Sequence, residues 1–238
     1  MRIGVISDIH ANLTAFEAVL EALGEVDEYW CLGDVVGYGP EPNECIERLA
    51  GLEHRCVLGN HDEAAIGRTD IRWFNEMAAF AVEWTSSRLT PGSLSYLSAL
   101  PSHFEERPFT VVHGSPRDPT YEYLMDERSS RQNFAYFATP YCLVGHTHIP
   151  VIFAETGTYW APDRSQKAYE MGTERMIVNP GGVGQPRDGN PNARCVTIDT
   201  DEMTLRYLEV PYDIAKTQKA MQTAGLPDML WVRLSYGR

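Results

Sequence analysis

The chain opens with two alternating periodicities. Residues 2–7 form a short apolar run of strand length, and residues 13–23 place Leu13, Phe16, Val19, Leu20 and Leu23 on one helical face. Asn12 precedes that helix as an N-cap. The strand pattern returns at 29–33 and 54–58, and the helical one at 41–50, with Pro42 tolerated in its first turn. Such a β-α-β-α-β order implies parallel strands joined by right-handed crossovers. Residues 71–89 carry the longest helical pattern. There Trp73, Met77, Phe80 and Trp84 recur at spacings of four, three and four, which predicts a core-facing stripe. Pro91 and Gly92 break it, and a shorter helix follows to Leu100.

Strands dominate the second half, at 109–113, 141–145, 150–155, 174–179, 193–199 and 203–210. The last of these read as antiparallel hairpins, with Asp199-Thr200-Asp201 as a turn. Residues 156–172 are polar and irregular, as in a surface loop or loose hairpin. A helix is expected over 213–223 behind Asp213, and a short one from Pro227. With no linker between the halves, residues 1–238 are expected to form a single domain of two packed sheets with helices outside.

Composition narrows the chemistry. A chain of 238 residues can bury enough surface to fold without disulfides or structural zinc. Cys31, Cys45, Cys56, Cys142 and Cys195 form no C-x-x-C pair and read as buried free thiols. No apolar run approaches the ~20 residues of a membrane span. The first residues read as a strand rather than a signal peptide, so the cytoplasm is the expected location and no membrane partner is expected. A net charge of −13 argues against nucleic acid as a partner. A chain this acidic binds phosphate where metal ions supply local positive charge.

The seven histidines are the informative residues. Five lie at expected strand ends, where open α/β sheets place their sites. The first strand ends in Asp8-Ile9-His10, and alternation along an extended chain would put both side chains on one face. Gly33-Asp34 ends the second, where the glycine permits close backbone approach and both carboxylate oxygens could bridge two metals. Gly59-Asn60-His61-Asp62, His113-Gly114 and Gly145-His146-Thr147-His148 end three more. Mixed nitrogen and oxygen donors of this kind suit manganese, iron, zinc or nickel rather than calcium. His54 and His103 read as ordinary surface or partly buried histidines.

These five fragments, in this order, resemble the motifs of the calcineurin-like metallophosphoesterase superfamily over roughly residues 3–150. Gly33 through Pro40, His113-Gly114-Ser115-Pro116 and Asn179 through Arg187 extend the resemblance to nearly the whole chain. They point to the small prokaryotic phosphoesterases described as diadenosine-tetraphosphatase-like. Relatives more often carry serine where this chain has Gly182, a change that removes no metal ligand. The resemblance implies a four-layer αββα sandwich of two mixed β-sheets. It implies that Asp8, His10, Asp34 and His148 bind one metal ion and Asp34, Asn60, His113 and His146 a second, manganese being the first expectation. The two cations would clamp substrate oxygens and acidify a bridging water for in-line attack on phosphorus.

By the same resemblance His61 binds no metal. It faces the phosphate as the catalytic residue with Asp62 as its orienting partner, while Asn60 and His61 contact substrate. Arg187 is a candidate phosphate contact whose bland alternative is a surface pair with Asp188. Tyr38 and Tyr123 either line the pocket or pack in core and rim. The expected activity is hydrolysis of a small phosphorylated substrate, first a nucleotide such as a dinucleoside polyphosphate. A general phosphodiester or a phosphoprotein is the alternative. A non-catalytic scaffold is disfavoured because every motif position is intact.

Overall fold

The computed structural model describes residues 1–161 and 168–238. Its strands are β1 (Arg2–Ile6), β2 (Glu28–Cys31), β3 (His54–Cys56), β4 (His103–Glu106), β5 (Phe109–Val112), β6 (Tyr141–Leu143), β7 (Val151–Ala154), β8 (Tyr159–Trp160), β9 (Ala168–Glu170), β10 (Met176–Asn179), β11 (Ala193–Asp199) and β12 (Thr204–Val210). The helices are α1 (Leu13–Leu23), α2 (Pro42–Ala50), α3 (Asn60–Ala65), α4 (Glu76–Ser86), α5 (Pro91–Ala99), α6 (Glu127–Asn133), α7 (Ile214–Thr223) and α8 (Asp228–Val232).

Two six-stranded mixed sheets result. One runs β3-β2-β1-β11-β12-β9, and the other β4-β5-β6-β10-β7-β8. The expected crossovers give parallel pairing of β1 with β2 and β2 with β3, while β11 and β12 form the antiparallel hairpin. Alternation decides which face each residue serves. Ile3 and Val5 of β1, with Val196 and Ile198 of β11, meet Phe109, Val111, Leu143 and Val178 of the facing sheet. Ile6, Cys31, Cys195 and Ala193 point the other way, under Phe16, Val19 and Leu23 of α1 and Leu49 of α2. The outer face of the second sheet, at Val112, Cys142 and Ile177, is covered by Leu124, Phe134 and Phe137. Helix, sheet, sheet and helix make four layers, as the resemblance implied. All five cysteines are buried free thiols. Among the described residues no helix is long and apolar enough to cross a membrane.

The stripe at 71–89 does not form as expected. Asn75 caps α4, its side chain accepting from Ala78 N, so the pattern splits into a 3-10 turn at Ile71–Trp73 and a helix from Glu76. Trp73 is 88% exposed and Phe80 41%. Ala78, Ala81, Val82 and Thr85 are the buried residues of α4. The helix approaches its neighbours through small side chains, packing Ala78 and Ala81 against Tyr38, Met221, Leu226 and Leu234. Of the expected stripe, Met77 and Trp84 pack partly buried against this cluster, and Trp73 and Phe80 do not.

Three short elements were not expected: α3, β4 and α6. The 156–172 segment supplies β8 to one sheet edge and β9 to the other, and residues 162–167 of that expected loop lie outside the described residues.

Candidate metal centre

The motif residues gather where the strand C-termini of both sheets meet. The strands stop short of them. β1 ends at Ile6, and Asp8 and His10 take left-handed φ values of 55° and 48°. Asp34, His146 and His148 do the same, at 53°, 65° and 59°. Pleat alternation therefore does not bring Asp8 beside His10, or His146 beside His148. Successive left-handed turns do, at a cost of roughly 1–2 kcal/mol per residue. Strain gathered in one set of loops is typical of functional sites. The loops also touch backbone to backbone. A Cβ on Gly33 would lie 2.8 Å from Gly59 N, and one on Gly59 would lie 2.1 Å from Asp34 Oδ1.

Two groups of buried donors could each hold a metal ion: Asp8, His10 and His148, and Asp34, His113 and His146. The hydrogen bonds of the imidazoles set their protonation. His10 Nδ1 lies 3.1 Å from Val36 O, His113 Nδ1 2.8 Å from Leu32 O, His148 Nδ1 2.5 Å from Gln185 O, and His146 Nε2 3.2 Å from Tyr121 O. A carbonyl only accepts, so each of these nitrogens carries the proton and the opposite one is a lone pair. Burial first, and neighbouring positive charge second, pull His10 and His146 well below the usual imidazole range and His148 below it. That lowering favours the neutral ring, the form that coordinates metals.

Those lone pairs face one another. His10 Nε2 is 3.1 Å from His148 Nε2, and His113 Nε2 is 3.1 Å from His146 Nδ1. Two lone pairs make no hydrogen bond, so each close approach calls for a cation between them. The carboxylates agree. Asp8 Oδ1 and Asp34 Oδ2 are buried without a hydrogen-bond partner. Asp8 Oδ1 is 3.2 Å from His148 Nε2 and 3.9 Å from His10 Nε2. Asp34 Oδ2 is 3.4 Å from His113 Nε2 and 3.7 Å from His10 Nε2, so it faces both groups. Its Oδ1 accepts from His61 N at 2.8 Å. One oxygen of Asp34, not two, is thus available to both groups. Burial, then the carboxylates of Asp62 and Asp8, push Asp34 well above the usual carboxylate range. A bound cation would reverse that repulsion. The donor set fits two transition-metal ions.

Asn60 lies against the second group, its Oδ1 3.1 Å from His113 Nε2. His61, beside it in the first turn of α3, is in neither donor group. Its ring packs edge-on to His10 at 4.9 Å, against Tyr38 at 4.4 Å and edge-on to Phe74 at 5.2 Å. Its Nδ1 is buried with no partner. Asp62 does not bond that ring. It accepts from Val36 N at 3.0 Å and Gly59 N at 3.1 Å, tying the second and third strand-end loops together.

Arg187 lies beside this cage, its Cζ 5.7 Å from the centre of the Tyr38 ring. It does not pair with Asp188, whose carboxylate is held by Arg194 at 2.7 Å. Tyr38 is buried against His10 at 4.7 Å, while Tyr123 is half exposed and stacks on His146 at 3.7 Å. Gly182 lies under a donor, since a Cβ there would stand 3.0 Å from His148 Cβ. His103 is exposed, and His54 bonds Tyr96 and Leu52 O away from the site. Tyr121, whose main-chain oxygen orients His146, and Phe74, which borders His61, were not anticipated. A backbone carbonyl has no signature in sequence, and Phe74 lay off the expected stripe.

Two packed mixed sheets, with two histidine–carboxylate groups at their joined strand ends, define a dinuclear metallohydrolase. Residues 1–203 match the Calcineurin-like phosphoesterase superfamily domain, and the chain belongs to that superfamily. It is a metal-dependent phosphoesterase. A crystal structure of a metallophosphoesterase from Sphaerobacter thermophilus superposes with a TM-score of 0.93 at 45% identity, covering 100% of this chain and 99% of that one. "Uncharacterized protein MJ0912" of Methanocaldococcus jannaschii is 36% identical across 99% of this chain and 98% of its own. Phosphodiesterase YfcE of Escherichia coli is 24% identical over 86% of this chain and 91% of its own. A symmetrical bis(5'-nucleosyl)-tetraphosphatase of Pseudomonas putida matches over 62 residues at 36% identity, which is 24% of this chain and 22% of its own.

Proposed function

We propose that this protein is a dinuclear phosphohydrolase that cuts a phosphate ester or anhydride of a nucleotide, a dinucleoside polyphosphate being the first substrate to test. The observation that carries the reading is the pair of facing lone pairs at 3.1 Å with the unpartnered Asp8 Oδ1 and Asp34 Oδ2 beside them. In this reading Asp8, His10, Asp34 and His148 hold one ion, and Asp34, Asn60, His113 and His146 the other. Manganese is the expected ion, and iron, zinc and nickel suit the same donors. Bound there, the ions supply positive charge to phosphate oxygens and make a water nucleophilic at neutral pH.

The remaining work falls to the chain. Val36, Leu32, Gln185 and Tyr121 hold the imidazoles in the tautomers that point lone pairs inward. The His61 ring donates a hydrogen bond to the charge that develops on phosphate or, when protonated, gives its proton to the leaving oxygen and becomes neutral, worth ~10²–10⁴-fold. Asp62 sets the position of His61 through the backbone of α3 rather than through its ring. Arg187 offers a forked cation to phosphate. Tyr123, stacked on His146 and half exposed, offers an aromatic face to a base. The full-length likeness to YfcE favours a general phosphodiester as the second reading. A cytoplasmic location is part of the same proposal.

The test is a hydrolysis screen on metal-free protein reconstituted with Mn²⁺. Diadenosine tetraphosphate, bis-p-nitrophenyl phosphate, a cyclic nucleotide and a phosphopeptide are compared, with Asp34→Asn as control and product analysis for cuts that free no phosphate. Metal-dependent cleavage led by diadenosine tetraphosphate is expected. Preference for bis-p-nitrophenyl phosphate would install the second reading, and two bound metals without turnover of any substrate would sink both.

A further inference from the structure

The hydroxyl of Tyr121 is engaged on both sides. It donates to Glu63 Oε2 and lies within hydrogen-bond range of Thr69 Oγ1. A carboxylate only accepts and the phenol has one proton, so Thr69 donates to Tyr121 and Tyr121 to Glu63. Tyr121 is 39% exposed, which places this chain of hydrogen bonds at the surface.

The stretches it joins are those that frame the metal centre. The main-chain oxygen of Tyr121 lies 3.2 Å from His146 Nε2, and Tyr123 stacks on the same ring. Their loop reaches His146 by folding back on the end of β5. His113 N and Gly114 N donate to Pro119 O at 3.1 and 2.7 Å, and Tyr121 N donates to Asp118 Oδ1 at 3.1 Å. Glu63 stands on α3, two residues beyond His61. Thr69 opens the stretch that runs through the 3-10 turn capped by Asp70 to Phe74, which meets the His61 ring edge-on at 5.2 Å. One hydroxyl thus fastens the loop over His146 to both stretches that border His61.

That fastening has work to do. At six residues α3 is too short to hold its own shape. On the inner side its first turn is fixed through backbone, by His61 N on Asp34 and by Asp62 on Val36 N and Gly59 N. The ring of His61 is not fixed that way. Its Nδ1 is buried with no partner, and packing on His10, Tyr38 and Phe74 locates it. His10 and Tyr38 are buried, whereas Phe74 is only partly so and lies on the outer stretch that Thr69 ties down.

We propose that Tyr121 is a positioning residue, whose hydroxyl acts through Glu63 and Thr69 to keep the His61 ring aimed at the substrate phosphate. The proposal rests on the phosphohydrolase reading above. The hydroxyl touches no donor group, and a change of side chain leaves the main-chain oxygen on His146 in place. Its loss therefore falls on the step that His61 serves, not on the binding of metal or substrate. Misplacing a reacting group by about 1 Å costs up to ~10²-fold in rate.

The experiment compares wild type with Tyr121→Phe, Glu63→Ala and Glu63→Gln, and repeats Tyr121→Phe in the His61→Ala background. With Mn²⁺ bound, kcat and KM are measured for diadenosine tetraphosphate and bis-p-nitrophenyl phosphate. Tyr121→Phe and Glu63→Ala should each lower kcat about tenfold on both substrates with KM unchanged. Glu63→Gln keeps an accepting oxygen and should stay within about twofold of wild type. In the His61→Ala background Tyr121→Phe should cost nothing more, because the ring it positions is gone. In parallel, hydrogen exchange of the metal-free proteins is followed over residues 61–74, where Tyr121→Phe and Glu63→Ala should speed exchange and Glu63→Gln should not. A tenfold loss that persists without His61, a rise in KM alone, full activity of Tyr121→Phe, a Glu63→Gln variant no better than Glu63→Ala, or exchange that ignores the substitutions would each overturn the proposal. If wild type turns over neither substrate, the phosphohydrolase reading fails, and the exchange rates still judge the fastening.

Discussion

The two donor groups are built from the same residue types, yet they sit in different surroundings. Asp8, His10 and His148 are all within 1% of fully buried, roofed by Tyr38 and floored by the loop that carries Gln185. Asp34 and His113 are as deeply buried, and His146 is 4% exposed, held by a carbonyl of Tyr121 and covered by the half-exposed ring of Tyr123. The first group is sealed under the buried Tyr38, while the second has the half-exposed Tyr123 at its rim. Asp34 Oδ2 faces both, so it ties the fate of one to the other.

Four changes sharpen or break that contrast. Asp34→Asn removes the shared charge and should have the largest effect, a loss of turnover of roughly a thousandfold, about 4 kcal/mol of transition-state stabilisation. Elemental analysis should find less than one metal per chain. Two retained ions would show that the groups are independent. His61→Ala comes next, with a ~10²–10⁴-fold loss in kcat. Metal content should stay at two, because His61 is in neither donor group.

Tyr123→Ala should act on the rim alone. Stacking of this kind is worth about 0.5–1.5 kcal/mol, so KM for a nucleotide should rise by up to about tenfold. Metal dissociation measured by competition with a chelator should speed up for one ion and not the other. Loss of both at one rate would erase the distinction drawn here.

The smallest effect on activity is expected at Glu209, under the loop that floors the sealed group. Burial alone would raise its pKa, but hydrogen bonds from Asn190, Arg194 and Asn192 bring it to about 2. A depressed carboxyl stabilises the fold above its unfolded value of about 4.3, and that contribution is lost as pH falls towards about 2. Glu209→Gln should therefore lower stability at neutral pH and flatten the acid-unfolding curve across that window. Parallel acid curves for wild type and variant would remove the ion network from the account.

The contrast between α1 and α4 shows how far pattern alone reaches. In α1 every residue of the expected stripe except Leu13 is buried, because a long apolar sheet face waits for it. In α4 the same kind of periodicity pointed at Trp73 and Phe80, and the buried face is alanine and valine. Periodicity records where large side chains recur. It does not record how the partner is shaped: against Tyr38, Met221 and Leu226 the fully buried contacts are alanines, while Met77 and Trp84 of the stripe pack only at the margin.

The amino-acid sequence by itself determined the order of the strands and crossovers, the free cysteines and the five donor fragments. These are local properties, carried by periodicity and by residue type at strand ends. Tertiary structure decided what the fragments do together. Left-handed turns, not strand alternation, aim Asp8 and His10 inward. Single carbonyls set each imidazole tautomer, and Asp62 bonds backbone where a ring contact was expected. Arg187 makes no pair with Asp188 because Arg194 takes that carboxylate. Each of these depends on which distant main-chain group arrives within hydrogen-bond range. No spacing along the chain encodes that, because a carbonyl is the same in every residue.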